Sequence, residues 1–170
     1  MRRIAKFEKV SFEQFKKDIL EVYPDISDVL INDIYNNIDL PKRATRGSAG
    51  YDFFLPMSLC LRPGECMVVP TGIRVNMAPG WVLKTYPRSG LGFKYRAQLD
   101  NTVGIIDQDY YYSDNEGHIK LKIRNLSVED KVLFVEHGKA FTQGIFVEYG
   151  ITYDDDVTDI RNGGFGSTKV

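Results

Sequence analysis

Two hydrophobic periodicities divide the chain near Pro41. Before it, Phe12, Phe15, Ile19 and Val22 recur at intervals of three and four, the spacing of one helix face, and Pro24 ends the run. Ser11-Phe12-Glu13-Gln14 reads as a capping box, in which the Ser11 hydroxyl and the Gln14 amide reciprocally satisfy free backbone N–H groups. Asp25 or Ser27 can cap a second helix carrying Val29, Leu30, Ile34 and Tyr35, with Asn36-Asn37 fraying its end. The spacing predicts a helical hairpin over 11–38, a packing appendage, after one strand within 3–10.

From Pro41 onward the pattern becomes short β runs punctuated by Pro and Gly. Pro63-Gly64 and Pro79-Gly80 are turn dipeptides that precede Cys66–Val69 and Trp81–Thr85, with Ile73-Arg74-Val75 between them. Ile119-Lys120-Leu121-Lys122-Ile123 alternates with period two, and Val132–Val135 and Ile145–Tyr149 follow. Many short strands with regular turns predict a mainly β fold, an antiparallel sandwich or a jelly-roll-like barrel. The organisation expected is an N-terminal strand plus helical hairpin (1–40), a β core (41–153), and a C-terminal tail (154–170), acidic and then glycine-rich.

Composition narrows the function classes. A chain of 170 residues suits one domain, and 43% hydrophobic with 26% charged residues is ordinary for a globular protein. Lys plus Arg number 22 against 23 Asp plus Glu, a net charge of −1. That balance disfavours binding to nucleic acid as a polymer, which draws on a basic excess. Cys60 and Cys66 are the only cysteines and read as reduced thiols, and His118 and His137 leave little material for a histidine metal site or triad. The charged start leads into no apolar segment, and no run approaches the roughly 20 apolar residues of a membrane span. The expectation is a cytoplasmic protein with no membrane association.

Four segments gather chemistry. Pro87-Arg88-Ser89-Gly90-Leu91-Gly92 opens a helical turn after a strand, where free N–H groups beside Arg88 suit a phosphate; Ser-Gly is equally an ordinary turn. Asn101–Tyr110 reads as an apolar hairpin with Asp107 and Asp109 two apart, directed to one face if the strand persists. One of these carboxylates can act as a general base on water, or both can form a solvated acidic tip. Gly138–Gly144 reads as a loop running into a strand, where Gln143 can donate its amide to a phosphate or to backbone. In Arg161-Asn162-Gly163-Gly164-Phe165-Gly166-Ser167-Thr168, exposed N–H groups, a cation, hydroxyls and one flat ring together suit phosphates plus a stacked base; a disordered tail is the alternative.

Ala49-Gly50-Tyr51-Asp52-Phe53, Pro87–Gly92, Gly104-Ile105-Ile106-Asp107-Gln108-Asp109-Tyr110, Gly138–Gln143 and Gly163–Thr168 stand in the order of five motifs, and over residues 41–170 the chain resembles the trimeric dUTPases. The resemblance implies a jelly-roll-like barrel with the helical hairpin inserted, assembled as a homotrimer with active sites between subunits. It implies hydrolysis of dUTP to dUMP and pyrophosphate with Mg2+. Asp107 would be the base that activates the water attacking the α-phosphorus. Asn101, with main-chain groups at Gly104 and Ile106, would hold uracil. Tyr110, with Tyr111 and Tyr112 as alternatives, would pack under the deoxyribose and exclude a 2′-hydroxyl. Arg88, Ser89, Gly90 and Gln143 would hold phosphates, and Asp52 would support the metal through water. On the C-terminal arm, Phe165 would stack on uracil while Arg161, Gly166, Ser167 and Thr168 close on the phosphates.

Two other readings stand beside it. A dCTP deaminase of the same fold would carry a Glu as deamination base and lack the stacking arm. A regulatory module would bind a repressor or other protein partner through the segments 11–38 and 111–117, which the family pattern does not require.

Overall fold

The computed structural model describes residues 2–161. Its first strand, β1 (Ala5–Lys9), leads into helices α1 (Phe12–Val22) and α2 (Asp28–Asn36). Eight short strands and one helix follow: β2 (Tyr51–Phe54), β3 (Leu59–Leu61), β4 (Cys66–Pro70), β5 (Ile73–Met77), β6 (Trp81–Pro87), α3 (Ser89–Tyr95), β7 (Gln98–Leu99), β8 (Gly104–Ile106) and β9 (Lys120–Arg124). The last strands are β10 (Leu133–Val135) and β11 (Ala140–Glu148). A 3-10 turn, Gln108–Tyr112, follows β8. The architecture is mainly β, as the turn-punctuated pattern predicts.

Every strand pairing is antiparallel. The largest sheet runs β2-β11-β6-β8, a second runs β4-β9-β7, and β1-β5 and β10-β3 form two-stranded ribbons. Alternation sends one face of each strand inward: on β5, Ile73, Val75 and Met77 are buried while Asn76 is exposed. Leu121 and Ile123 do the same on β9, and Ile119 is buried just before it, bonding through its N–H to the Ile73 carbonyl. The strand therefore begins one residue later than the alternation suggests.

Two expectations change. Gly138–Gly144 is a turn only at its start; Ala140 onward is strand, because β11 pairs with β2 on one side and β6 on the other. The helical hairpin is not an appendage. Phe15, Ile19 and Ile31 have no exposed surface and belong to the same core as Phe53, Leu83, Leu99 and Phe141. Each such side chain contributes roughly 1.5–3 kcal/mol by leaving water, so the helices stabilise the β core itself.

The start of α1 also departs from a reciprocal box. Ser11 Oγ accepts the Gln14 N–H as expected, at 3.1 Å. The Ser11 N–H goes instead to Glu116 Oε2 (2.8 Å), and Gln14 turns inward to donate to Asp18 at 2.6 Å. A longer-range carboxylate has replaced the local amide. The 111–117 segment is thereby fastened to the helical hairpin, and Tyr111 adds a bond from its hydroxyl to Glu8.

Candidate active site

The Asn101–Tyr110 segment is not a hairpin. β7 pairs with β9 while β8 pairs with β6, so the chain between them crosses from one sheet to another. The Thr102 N–H bonds the Leu99 carbonyl (2.8 Å) and the Val103 N–H bonds that of Asn101 (2.7 Å), with Thr102 at φ +62. A β-branched residue is costly there, by roughly 1–3 kcal/mol, and such strain persists where the surrounding fold over-determines it. The turn places Asn101 at the mouth of a cavity.

Gly104 is required two residues on. A Cβ at this position would lie 2.2 Å from Thr85 Oγ1, a fully buried hydroxyl on the neighbouring β6. Only glycine lets β8 approach that closely. β8 ends at Ile106, and Asp107 caps the 3-10 turn with extended backbone, using no side-chain hydrogen bond to do so. The two carboxylates thus leave the strand but still converge: Arg161 donates through Nε to Asp109 Oδ1 at 3.0 Å and through Nη2 to Asp107 Oδ2.

The cavity measures about 410 Å³ and is open to solvent on one side. Asn101, Gly104, Ile106, Asp107, Tyr110 and Arg161 line it, together with Asp100, Val103, Ile105, Lys120, Leu121 and Lys122. This is a volume suited to a small organic ligand, with apolar walls and a few polar groups. Of the three consecutive tyrosines only Tyr110 faces it. Tyr111 lies under the Arg74 guanidinium, 4.5 Å from ring centre to Cζ, and Tyr112 is 69% exposed. Tyr110 is 5% exposed and donates its hydroxyl to the His118 carbonyl at 2.8 Å.

A second cluster forms where β6 meets α3. Gln143 on β11 stands opposite Asp52 on β2 and Tyr86 on β6, with Nε2 3.4 Å from the Pro87 carbonyl. Gly50 leaves the room that the Gln143 amide occupies, since a Cβ there would meet Oε1 at 2.8 Å. Arg88 Nε lies 3.3 Å from Asp52 Oδ1. Arg88 also precedes the first turn of α3, where the N–H groups of Ser89 and Gly90 have no intrahelical acceptor. One cation, an amide and N–H donors around one carboxylate are suited to an anion.

Five of the expected residues therefore share the cavity with Arg161, and Asp52, Arg88, Ser89, Gly90 and Gln143 gather elsewhere. Among the described residues, none of the second group lines the cavity. Phe165, Gly166, Ser167 and Thr168 lie outside the described residues. Three charged lining residues were not among the expected site residues. Lys120 and Lys122 were discernible as the polar phase of the Ile119–Ile123 alternation. Asp100 was not, because its role comes from a bidentate bond to Arg124 (2.8 and 3.0 Å) and an ion pair with Lys122 (2.9 Å). Those hydrogen bonds hold its carboxyl down at about 2.

The chain resembles known proteins in sequence and in fold. The dUTPase family model matches residues 36–169. A deoxyuridine 5′-triphosphate nucleotidohydrolase of Lactococcus lactis subsp. lactis is 41% identical over 134 residues, covering 77% of this chain and 88% of that protein. Its counterpart in Tolumonas auensis is 35% identical over 143 residues, covering 79% and 90%. The crystal structure of the dUTPase from Streptococcus mutans superposes with a TM-score of 0.63 at 32% identity, over 86% of this chain and 97% of that one. The dUTPase of phage phi11 of S. aureus, at 18% identity, shares the fold with a TM-score of 0.63 over 92% and 97%.

Proposed function

The chain belongs to the dUTPase family, and on that premise we propose that it hydrolyses dUTP with Asp107 as base, Asn101 and Tyr110 as nucleoside contacts, and the Arg88 cluster as phosphate grip. The reaction is that of a dUTP diphosphatase: dUTP and water yield dUMP and pyrophosphate. The observation that carries the residue assignment is the convergence of Asn101, Gly104, Ile106, Asp107 and Tyr110 on one cavity.

In this reading the Asn101 amide and the main-chain groups of Gly104 and Ile106 meet the uracil edge. A fixed donor–acceptor pattern leaves cytosine unpaired, at roughly 1–3 kcal/mol for each buried group left unsatisfied. The Tyr110 ring lies under the deoxyribose and leaves no space for a 2′-hydroxyl. The Asp107 carboxylate takes a proton from water as its oxygen bonds to the α-phosphorus. The bond from that phosphorus to the α–β bridging oxygen breaks, and pyrophosphate departs. Phosphoryl transfer needs positioning and charge neutralisation above all, which Arg88, the Ser89 and Gly90 N–H groups and Gln143 supply. Arg161, now on Asp107 and Asp109, is near enough to exchange these carboxylates for phosphate oxygens. Phe165, Gly166, Ser167 and Thr168 complete the arm by resemblance.

Among the described residues no group of three or more His, Cys, Asp and Glu side chains could hold a metal ion. In this reading Mg2+ would be held chiefly by triphosphate oxygens, with the Asp52 carboxylate reaching it through water. When bound, the ion neutralises phosphate charge.

The family resemblance implies a jelly-roll-like barrel and a homotrimer; two clusters that do not share a cavity in one chain are in keeping with a site shared between subunits. The hairpin is read as an insertion, since the family match begins at residue 36. No described helix is long and apolar enough to cross a membrane; the cytoplasmic location is carried over from the sequence as a proposal. A regulatory partner would meet the exposed Val29 and Leu30 of α2; a pull-down with both changed to Glu tests that surface without removing the buried face of the hairpin.

Pyrophosphate release with magnesium, screened over dUTP, dCTP, dTTP and UTP, tests the function. Selective release from dUTP is expected; ammonia release from dCTP would replace it with the deaminase reading.

A further inference from the structure

Helix α1 touches the cavity wall through one buried carboxylate that the reaction above does not use. Asp18 is 2% exposed and accepts from Gln14 Nε2 (2.6 Å), His118 Nδ1 (2.5 Å) and Lys120 Nζ (3.0 Å). His118 has no exposed surface, and its Nε2 accepts the Gly72 N–H at 2.7 Å. An accepting Nε2 carries no proton, so the ring proton is on Nδ1, facing Asp18. Burial alone would raise the Asp18 pKa. The bonds from His118, Gln14 and Lys120 outweigh it and hold the carboxyl well below the usual range.

Both His118 and Lys120 lead from Asp18 to the nucleoside pocket. Lys120 lines it directly. The His118 carbonyl takes the Tyr110 hydroxyl, which also accepts from Asn115 Nδ2 at 2.8 Å. Gly117, at φ +69, closes the segment over Tyr110; a Cβ there would fall 2.6 Å from the Tyr110 carbonyl oxygen. The Tyr110 ring is thus hung from a residue whose imidazole is clamped by α1. Steric rejection of one hydroxyl works only if the rejecting ring cannot yield, because a displacement of an ångström opens the space.

We propose that Asp18 is a positioning residue for the sugar wall: by clamping His118 and Lys120 it holds Tyr110 in place, so that the N-terminal helix sets discrimination against a 2′-hydroxyl. This inference rests on the reading of Tyr110 as the deoxyribose contact. It gives the hairpin a part in specificity, beyond its contribution to the core.

The test measures kcat/KM for dUTP and for UTP, with melting temperature, in the full chain and four variants. Asp18→Asn keeps the shape, loses the charge, and is expected to lower the dUTP/UTP ratio about tenfold, mainly by raising activity on UTP. Tyr110→Phe keeps the ring, cuts its link to His118, and is expected to move the ratio the same way; it decides the matter if Asp18→Asn does not fold. Ile31→Ala loosens the hairpin core away from the pocket and should lower the melting temperature with the ratio unchanged. Tyr110→Ala should abolish discrimination. If Tyr110→Ala leaves the ratio intact, the sugar-contact reading falls and the inference with it. If it abolishes discrimination while Asp18→Asn and Tyr110→Phe do not move the ratio, the inference alone is overturned. A fall in Ile31→Ala equal to that in Asp18→Asn would also overturn it, by making helix stability the cause.

Discussion

Asp107 caps a 3-10 turn without using its carboxylate in the cap, so the side chain is spared for chemistry. Its ion pair with Arg161 is half exposed on the Asp107 side, at 44%, and surface pairs of that kind contribute about 0–1 kcal/mol. Asp107→Asn is therefore expected to cost little stability while lowering kcat by about 10²–10⁴, the range of general-base catalysis. Pyrophosphate release gives the rate, and calorimetry with a non-hydrolysable dUTP analogue should still detect binding. Turnover at the parent rate would remove Asp107 from the base role. Asp100 illustrates the opposite use of a carboxylate. Its pKa is held at about 2, by hydrogen bonds from Arg124 and Lys122 foremost, against an ordinary value near 3.9 when unfolded. A depressed carboxyl contributes stability that is complete above the unfolded value and lost as pH falls through the folded one. Asp100→Asn should lower the urea midpoint at pH 7 and converge with the parent as pH drops from about 4 toward 2; a constant gap across that window would dissociate Asp100 from the acid sensitivity.

At the scale of elements, periodicity served well where one face of an element is buried. It located α1 and β5 to within two residues, because each presents a regular apolar stripe to the core. Turn dipeptides located β4 and β6, and a cap located α2, whose Val29 and Leu30 prove exposed while Ile31 is buried. Periodicity failed for β2 and β3, four and three residues long, where too few positions exist to form a pattern. It also read the start of β11 as a loop, since pairing on both sides, a long-range fact, makes Ala140–Gly144 a strand. Motif order reached further into the site than periodicity did: Asn101, Asp107 and Tyr110 converge as the resemblance implies, while Asp18 and His118 were invisible because their meeting spans 100 residues. The cap of α1 shows the same long-range dependence. Ser11 accepts from Gln14 and donates both its N–H and its hydroxyl to Glu116. Ser11→Ala should cost about 1–2 kcal/mol, at the upper end for an N-cap, because a carboxylate bond is lost with it. Glu116→Gln should lose less stability than Glu116→Ala, since its one amide oxygen can still accept one of the two Ser11 bonds. Chemical denaturation measures both, and equal losses in the two Glu116 variants would mean that an uncharged acceptor for Ser11 contributes nothing.

The molecule as a whole presents two clusters of candidate site residues that do not share a cavity among the described residues. The nucleoside cavity holds Asp107, whereas Arg88 and Gln143 stand with Asp52 between β2, β6 and β11. If different copies of the chain supply the two halves, each active site of a closed cyclic assembly takes Asp107 from one protomer and Arg88 from its neighbour. Two variants, each inactive alone, then complement. Asp107→Asn protomers retain a sound Arg88 cluster, and Arg88→Ala protomers retain a sound base. Unfolded together in equal amounts and refolded at random, they should regain about one quarter of parent activity, because each half-site has an even chance of coming from the unimpaired variant. Light scattering on the same mixture should report three chains per particle. If the halves belonged to one chain, every site in the mixture would carry a lesion, and activity would stay at the level of the separate variants. A mixture that scatters as a trimer yet stays inactive would therefore locate both halves in a single protomer, and would require the chain to close on itself around the nucleotide.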